Sequence, residues 1–259
     1  MILSRRASLM LGIAALGATG LPRLGMAQTE TPSSFAFPVE GGEVIVHPVD
    51  HASMVIETPA GVIYVDPVGG AQAYAGRPQP SLILITHEHG DHFDLPTLQG
   101  LPTVAIIANP AVHGMLPADM QARATAMANG DQGDAMGIRI EAVPAYNITP
   151  DRLQYHPRGR DNGYVLTIGG KRFYIAGDTE DTPEMRALEG IEVAFLPMNL
   201  PFTMTVDQAA DAVAAFRPVT VFPYHHRDSD VQEFARLVEA SDAASLVILA
   251  NWYPAGAAG

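Results

Sequence analysis

The feature that most constrains this chain is an apolar run that leads directly into a cluster of metal-ligand side chains. Leu82–Ile85 has the pattern of a buried β-strand, and the sequence THEHGDH follows it at residues 86–92. A tight turn after a buried strand gives imidazoles and carboxylates a rigid base from which to converge on a cation, and Gly90 is expected to relieve backbone strain in that turn. The run therefore predicts a metal site at a strand end.

The spacing within this run predicts two metal positions rather than one. His87 and His89 are two residues apart and could share one metal, while Asp91 and His92 could reach a second.

Further candidate ligands follow strands later in the chain. Asp178 comes after the strand-type run 172–176, and its two carboxylate oxygens could bridge two cations. His225 and His226 follow the run 219–222, and we expect one of this pair to be a ligand and the other a neighbour. His156 lies in a loop before the strand-type run that starts at Tyr164 and is also a candidate ligand.

The composition limits the kinds of metal site and of partner. Because the chain has no cysteine, disulfides, thiolate nucleophiles and cysteine-bound zinc are excluded, so any metal must be held by histidine and carboxylate. The formal net charge is −13 and Lys171 is the single lysine, with no cluster of basic residues. Nucleic-acid binding requires such clusters, so a small-molecule substrate is expected instead.

The N-terminus has the layout of an export signal. Arg5 and Arg6 precede an apolar run at residues 9–18 and small residues at Gly25 and Ala27, which predicts a twin-arginine signal peptide at residues 1–27. The apolar run is too short for a stable membrane anchor, which needs about 20 residues. A periplasmic or otherwise exported location is expected. Residues 28–34 are predicted to be a flexible leader and residues 35–259 a single domain.

The order of apolar runs predicts an α/β fold with two sheets and helices outside them. Four β-type runs come early, and later ones alternate with stretches of helical period. The runs are 43–47, 53–57, 62–65, 81–85, 164–168, 172–176, 193–196, 219–222 and 246–250. The stretch from Asn109 to Asp161 is expected to be more irregular and to form part of a pocket wall.

Three helices have sequence signals at their ends. Thr182 is predicted to cap a helix that Gly190 can end, and Thr205 with Gln208 forms a capping-box pattern. Ser229 with Gln232 repeats that pattern before a third helix.

These motifs resemble the metallo-β-lactamase superfamily over nearly the whole chain after the signal. The resemblance implies a four-layer αββα sandwich with metals at one edge between the sheets. The sequences around the histidine run, Ala145-Tyr146-Asn147, Gly177-Asp178-Thr179 and Pro223-Tyr224-His225 are similar to the branch that includes ascorbate-6-phosphate lactonase, and N-acyl-phosphatidylethanolamine phospholipase D is a more distant relative.

The resemblance also implies a ligand set. His87, His89 and His156 would hold one metal, Asp91, His92 and His225 the second, and Asp178 would bridge them. His156 is the weakest match, because Asn147 stands nearer the preceding strand end, where this superfamily often has a ligand histidine. His51 and Asp66 match positions close to the family's site, and His51, Asn147 and His226 are kept as supporting or substrate-binding candidates.

The function implied is hydrolysis by a metal-activated hydroxide, with Asp91 orienting that hydroxide and passing on its proton. An ester or lactone is the first expected substrate. A phosphodiesterase or phospholipase is the alternative if Arg158 and Arg160 point into the cleft, and a non-catalytic metal-binding protein is a third possibility.

Two divalent ions are expected, zinc first, with manganese or iron as alternatives. Pocket loops are expected to include Tyr155, Met198, Phe202 and Met204. Oligomeric state is not indicated.

Overall fold

The computed structural model describes residues 33–254. The predicted signal peptide and all but the last two residues of the predicted leader lie outside the described residues. None of the described helices is both long and apolar enough to cross a membrane.

Two seven-stranded sheets follow one another along the chain, and each keeps its strands in sequence order. The first sheet is antiparallel from β1 to β4 and parallel from β4 to β7. Its strands are β1 (Phe35–Val39), β2 (Gly42–Asp50), β3 (Ser53–Thr58), β4 (Gly61–Val65), β5 (Leu82–Ile85), β6 (Ala105–Ala108) and β7 (Ala124–Ala126).

The second sheet repeats this arrangement, antiparallel from β8 to β11 and parallel from β11 to β14. Its strands are β8 (Gln132–Ala135), β9 (Ile138–Ala145), β10 (Asp161–Ile168), β11 (Lys171–Ile175), β12 (Ile191–Pro197), β13 (Thr220–Tyr224) and β14 (Leu246–Val247).

The helices lie on the outer faces of the sheets. They are α1 (Leu95–Gly100), α2 (Pro110–Met115), α3 (Ala118–Gln121), α4 (Pro183–Arg186), α5 (Val206–Phe216) and α6 (Val231–Ala240), with a 3-10 helix at Ala71–Tyr74. Alternation along the strands separates the layers: Met54 and Ile56 of β3 enter the core between the sheets, whereas Val55 packs under the helices of the first half. Phe173 and Tyr174 of β11 divide in the same way in the second half. The predicted αββα sandwich is confirmed.

Helix ends follow the sequence signals in part. Thr182 caps α4 by accepting the Met185 N–H, but the helix ends at Arg186 rather than near Gly190. The capping box of Thr205 and Gln208 is present at the start of α5. The prediction for α6 was wrong by one residue. Asp230 is the cap because its carboxylate accepts two backbone N–H groups, while the Ser229 hydroxyl donates to the carbonyl of Met198.

The stretch from Asn109 to Asp161 is more regular than expected. It contains α2, α3 and β7 to β9, and its longest irregular segment is the β9–β10 loop at residues 146–160. The last predicted strand was too long, since β14 ends at Val247.

One edge of the sandwich collects the strand ends that matter for function. The β2–β3 turn and the carboxyl ends of β5, β9, β11 and β13 all supply candidate site residues. Gly177, just after β11, is one reason the chain can turn there, because its φ is +65° and a Cβ would lie 2.6 Å from the Asn162 carbonyl oxygen.

Replacing Gly177 by alanine should therefore destabilise the fold more than an alanine at an equally left-handed but open glycine. Gly170, with φ +78° and no atom within 4 Å of a built Cβ, is the matched control. We expect Gly170→Ala to lower the free energy of unfolding by about 1 kcal/mol and Gly177→Ala by about 3 kcal/mol or more, measured by urea denaturation. Equal losses would show that the structure relieves the close approach at Gly177.

Candidate metal centre

Four buried imidazoles converge on the carboxylate of Asp178. The Nε2 atom of His92 lies 3.2 Å from Asp178 Oδ1. The Nε2 atoms of His225, His156 and His87 lie 3.2, 3.5 and 3.9 Å from Asp178 Oδ2. Asp178 therefore stands at the centre of side chains that come from three separate loops.

The atoms that point inward have no hydrogen-bond partner. The Nε2 atoms of these four histidines and Oδ1 of Asp178 are buried and unsatisfied. Because a buried polar atom without a partner costs about 1–3 kcal/mol, such a cluster is unfavourable unless something binds between its members. Neutral imidazoles and a carboxylate are the donor set for divalent metals such as zinc, so these residues fit metal ions.

The donor atoms fall into groups whose members lie within 4.8 Å of one another. The first group is His87, His89, His156 and Asp178, and the second is His92, Asp178 and His225. Asp178 belongs to both, which is the position that a bridging carboxylate would need.

Asp91 adjoins the second group from the side of the solvent. Its Oδ2 lies 3.2 Å from His51 Nε2 and 3.4 Å from His225 Nε2, and its side chain remains 42% exposed. His51, Asp91 and His225 form a third compact group of potential donors. Although partial burial opposes ionisation of Asp91, the neighbouring imidazoles of His225 and His51 hold its pKa below the usual range.

Burial and charge set the protonation of the buried members. Burial lowers the pKa of His87 well below its usual value, which leaves this imidazole neutral and able to donate a lone pair at pH 7. Burial opposes the ionisation of Asp178, but His225 and His92 outweigh it and hold the pKa of this carboxyl well below its usual range. A charged Asp178 is the form that can bridge two cations.

Two further aspartates orient the histidines from behind. Asp66 Oδ2 lies 2.8 Å from His92 Nδ1, and Asp161 Oδ2 lies 2.9 Å from His156 Nδ1. A carboxylate that accepts the Nδ1 proton keeps Nε2 free to face inward. Asp66 also accepts the backbone N–H of Thr86 at 2.7 Å. Sequence reasoning missed Asp161, whose only signal is its position five residues after His156.

The backbone is left-handed at several of these positions. His51, Asp66 and His225 have φ of 51°, 44° and 46°, a region that costs non-glycine residues about 1–2 kcal/mol. Gly90 is not among the residues with positive φ, and a Cβ there would meet no atom within 4 Å. The predicted strain relief at Gly90 was wrong, since the strained residues are at other strand ends.

The remaining candidates lie around the two groups rather than in them. The backbone N–H of Asn147 donates to the carbonyl of His156 at 2.8 Å, and its side-chain amide donates to the carbonyls of Phe202 and Arg152. Asn147 thus supports the loop that carries His156, and of these two it is His156 that joins the inward-facing donors. His226 is outside both groups, and its Nδ1 contacts the carbonyl oxygen of Arg227.

A cavity of about 470 Å³ opens beside this cluster. Tyr155 and Phe202 line it as expected, with ring centroids 5.0 Å apart, whereas Met198 and Met204 are buried in the core under α5. Its lining residues are His89, Gly90, Asp91, Gln154, Tyr155, His156, Asp178, Asn199, Phe202, His225 and Arg227.

The two arginines named for a phosphodiesterase do not line this cavity. Arg158 is an exposed side chain paired with Glu184 at 3.0 Å. Arg160 is held by Glu88 at 2.9 Å and Asp161 at 2.7 Å, and its guanidinium lies 3.4 Å from His89 Nε2.

Comparison with known proteins agrees with this fold. The beta-lactamase superfamily domain family matches residues 33–225. A UPF0173 metal-dependent hydrolase of Pyrococcus abyssi is 33% identical over 215 residues, which cover 77% of this chain and 93% of the relative. A UPF0173 metal-dependent hydrolase of Thermus thermophilus is 32% identical over 71% of this chain and 84% of its own.

Solved structures are similar over most of the domain. The crystal structure of a candidate metal-dependent hydrolase from Parabacteroides distasonis has 40% sequence identity and a TM-score of 0.77, covering 85% of this chain and 98% of that chain. Igni18, a metallo hydrolase from Ignicoccus hospitalis, has the same fold at 24% identity, with a TM-score of 0.66 over 80% of this chain and 95% of its own.

The chain belongs to the metal-dependent hydrolases of the metallo-β-lactamase superfamily, in the group named UPF0173.

Asp161 should matter for metal affinity although it contacts no metal. We expect Asp161→Asn to weaken zinc binding about 10- to 100-fold, because the His156 ring exchanges a charged carboxylate acceptor for a neutral amide. The measurement is a competition titration with a chelating dye. Glu88→Gln is the control, since it removes the other carboxylate of Arg160 and leaves the His156–Asp161 bond intact. Equal weakening in both variants would contradict the orienting role.

Proposed function

We propose that this protein is an exported hydrolase that binds two divalent metal ions, zinc being the first candidate, and cleaves an ester or a lactone. The observation that carries the proposal is the convergence of unpaired Nε2 atoms on both oxygens of Asp178, beside an open cavity.

The distances between donor atoms suggest which residues would hold each metal. His87, His89 and His156 would hold the first metal, and His92 and His225 the second, with Asp91 at its open side. Asp178 would be shared by the two metals, since it belongs to both donor groups. When bound, a pair of such ions lowers the pKa of a coordinated water and polarises the bond that is attacked.

Asp91 is placed to move the proton. Both of its imidazole contacts fall on Oδ2, and the side chain lines the cavity, so Oδ1 remains available as a proton acceptor. An ionised carboxylate with one free oxygen can accept a proton from the attacking water and return it to the leaving group. His51 holds this carboxylate, and the hydroxyl of Tyr253, 2.9 Å from His51 Nδ1, holds the imidazole in turn.

The two arginines that would favour a phosphodiester do not line the cavity, so a carboxyl ester or lactone remains the first candidate. Arg158 and Arg160 are bound by carboxylates outside it. The resemblance to the ascorbate-6-phosphate lactonase branch supports a lactone. A non-catalytic metal-binding protein is less favoured, because such a protein has no need of a half-exposed Asp91 at a cavity of substrate size.

Metal content tests the site. Plasma mass spectrometry on residues 28–259 should find close to two metals per chain, and Asp178→Ala and His156→Ala should each lower that number. His113→Ala is the control, because this imidazole belongs to α2 and to none of the donor groups. Absence of metal from metal-replete protein would contradict the proposal.

Hydrolysis tests the chemistry. Aryl esters and lactones should be cleaved, with activity lost to a chelator and restored by zinc, while bis(4-nitrophenyl) phosphate is not cleaved. Asp91→Asn should lower kcat about 10²- to 10⁴-fold, as expected for loss of a proton-transfer group. Cleavage of the phosphodiester in preference to every ester and lactone would replace the first substrate class by the second.

Export can be tested separately. A reporter fused after residue 27 should reach the periplasm of a Gram-negative host through the twin-arginine route. Replacing Arg5 and Arg6 by lysine should keep it in the cytoplasm, and Arg23→Lys is the matched control. Unimpaired export of the double variant would contradict the twin-arginine assignment.

A further inference from the structure

Arg227 differs from every other arginine in the described chain. Among residues 33–254, every other arginine makes a side-chain hydrogen bond or an ion pair, whereas the guanidinium of Arg227 makes neither. It also lines the cavity beside the candidate metal centre, together with Asp91 and His225. A cation is therefore available at the site, in a chain of net charge −13 whose other site-proximal arginines are neutralised by carboxylates.

The backbone of Arg227 is fixed by specific contacts. Its φ is 46°, a strained value for a residue with a side chain, and it follows His225, with φ also 46°, by two positions. Its N–H donates to the Tyr253 hydroxyl at 2.7 Å, and its carbonyl oxygen lies 3.1 Å from His226 Nδ1. The turn that positions His225 thus also positions Arg227 at the wall of the cavity.

No carboxylate in the described part of the chain forms an ion pair with this guanidinium. Asp50 is near enough for Arg227 to act on its pKa, but the two side chains are not in contact as an ion pair. No carboxylate oxygen of the described residues lies within 4.0 Å of the Arg227 side chain. The cavity wall contains two aspartates, the buried Asp178 and the partly exposed Asp91. The carboxylate of Asp91 already contacts His51 and His225.

The rest of the wall is uncharged. The amide side chains of Gln154 and Asn199 and the edge-to-face pair of Tyr155 and Phe202 complete the cavity away from the metal donors. Phe202 is 40% exposed, so this apolar surface is open to a ligand. The cavity is therefore matched to a small molecule with a short apolar part and one negative group.

We propose that Arg227 binds a free carboxylate of the substrate, so that the substrate class is an ester or lactone that also carries a carboxylate. A guanidinium pairs with a carboxylate through two parallel hydrogen bonds, and the single cation of the wall matches a single negative charge better than a phosphate dianion. The identity of the bond cleaved rests on the proposed function, whereas the recognition of the carboxylate can be measured without turnover.

The binding experiment uses zinc-loaded protein and isothermal titration with dicarboxylates and their matched monocarboxylates: succinate against butanoate, glutarate against pentanoate, and adipate against hexanoate. Both members of a pair can place one carboxylate at the metals, and only the dicarboxylate has a second one for Arg227. For at least one pair we expect the dicarboxylate to bind about tenfold more tightly, as for one charge-assisted contact.

Arg227→Met should abolish that preference, and Arg158→Met should retain it. Arg158 is the matched control because it is a nearby arginine outside the cavity, so the change in net charge is the same. Absence of any dicarboxylate preference in the unaltered protein, or its persistence in Arg227→Met, would overturn the proposal. A larger Arg227-dependent gain with 4-phosphonobutanoate than with glutarate would overturn the carboxylate assignment.

Kinetics separate this proposal from the proposed function. The ratio of kcat/KM for 4-nitrophenyl hydrogen glutarate to that for 4-nitrophenyl pentanoate should fall about tenfold in Arg227→Met, through KM. If neither ester nor any lactone is cleaved while the Arg227-dependent binding preference persists, the hydrolase proposal fails and carboxylate recognition stands. If both esters are cleaved with a ratio that Arg227→Met leaves unchanged, carboxylate recognition fails and the hydrolase proposal stands.

Discussion

The rest of the site depends on one buried carboxylate, that of Asp178, and on the four imidazoles that face it. This cluster is unfavourable by itself, because its inward-facing atoms have no hydrogen-bond partners and its members are removed from water. Metal ions would supply the missing partners, which explains how a folded protein can retain so many unsatisfied polar atoms in one place. The strand ends and loops at this edge of the sandwich hold these side chains close together.

Support comes from layers of contacts behind the cluster. Asp66 and Asp161 orient His92 and His156. The loop that carries His156 is fixed by the buried Glu180, whose Oε2 accepts the backbone N–H groups of Ile148 and Thr149 at 2.6 Å and whose Oε1 pairs with Arg152 at 2.7 Å. These contacts fix an irregular loop that carries a candidate ligand.

Sequence reasoning could identify features that depend on local pattern. The histidine run after β5, the two sheets with helices outside them and the capping box at α5 follow from periodicity and spacing. The four-layer αββα order follows from the family resemblance, and the structure confirms the layers and the capping box. Features that depend on the packing of distant segments could not be found in this way. The role of Asn147 behind His156 required the course of the 146–160 loop, and the pairing of Asp161 with His156 required its three-dimensional geometry. The sequence likewise could not show that Arg227 is unpaired while the other described arginines are paired, because many of those pairs form between residues that are distant in the sequence.

We expect Asp178 to join two metal positions. Diffraction from zinc-loaded crystals at wavelengths on either side of the zinc absorption edge tests it most directly, because it locates zinc without assuming its ligands. We expect two anomalous peaks about 3.5–4 Å apart, one among His87, His89 and His156 and the other between His92 and His225, with the Asp178 carboxylate between them. A single peak at full zinc loading, or peaks away from Asp178, would contradict it.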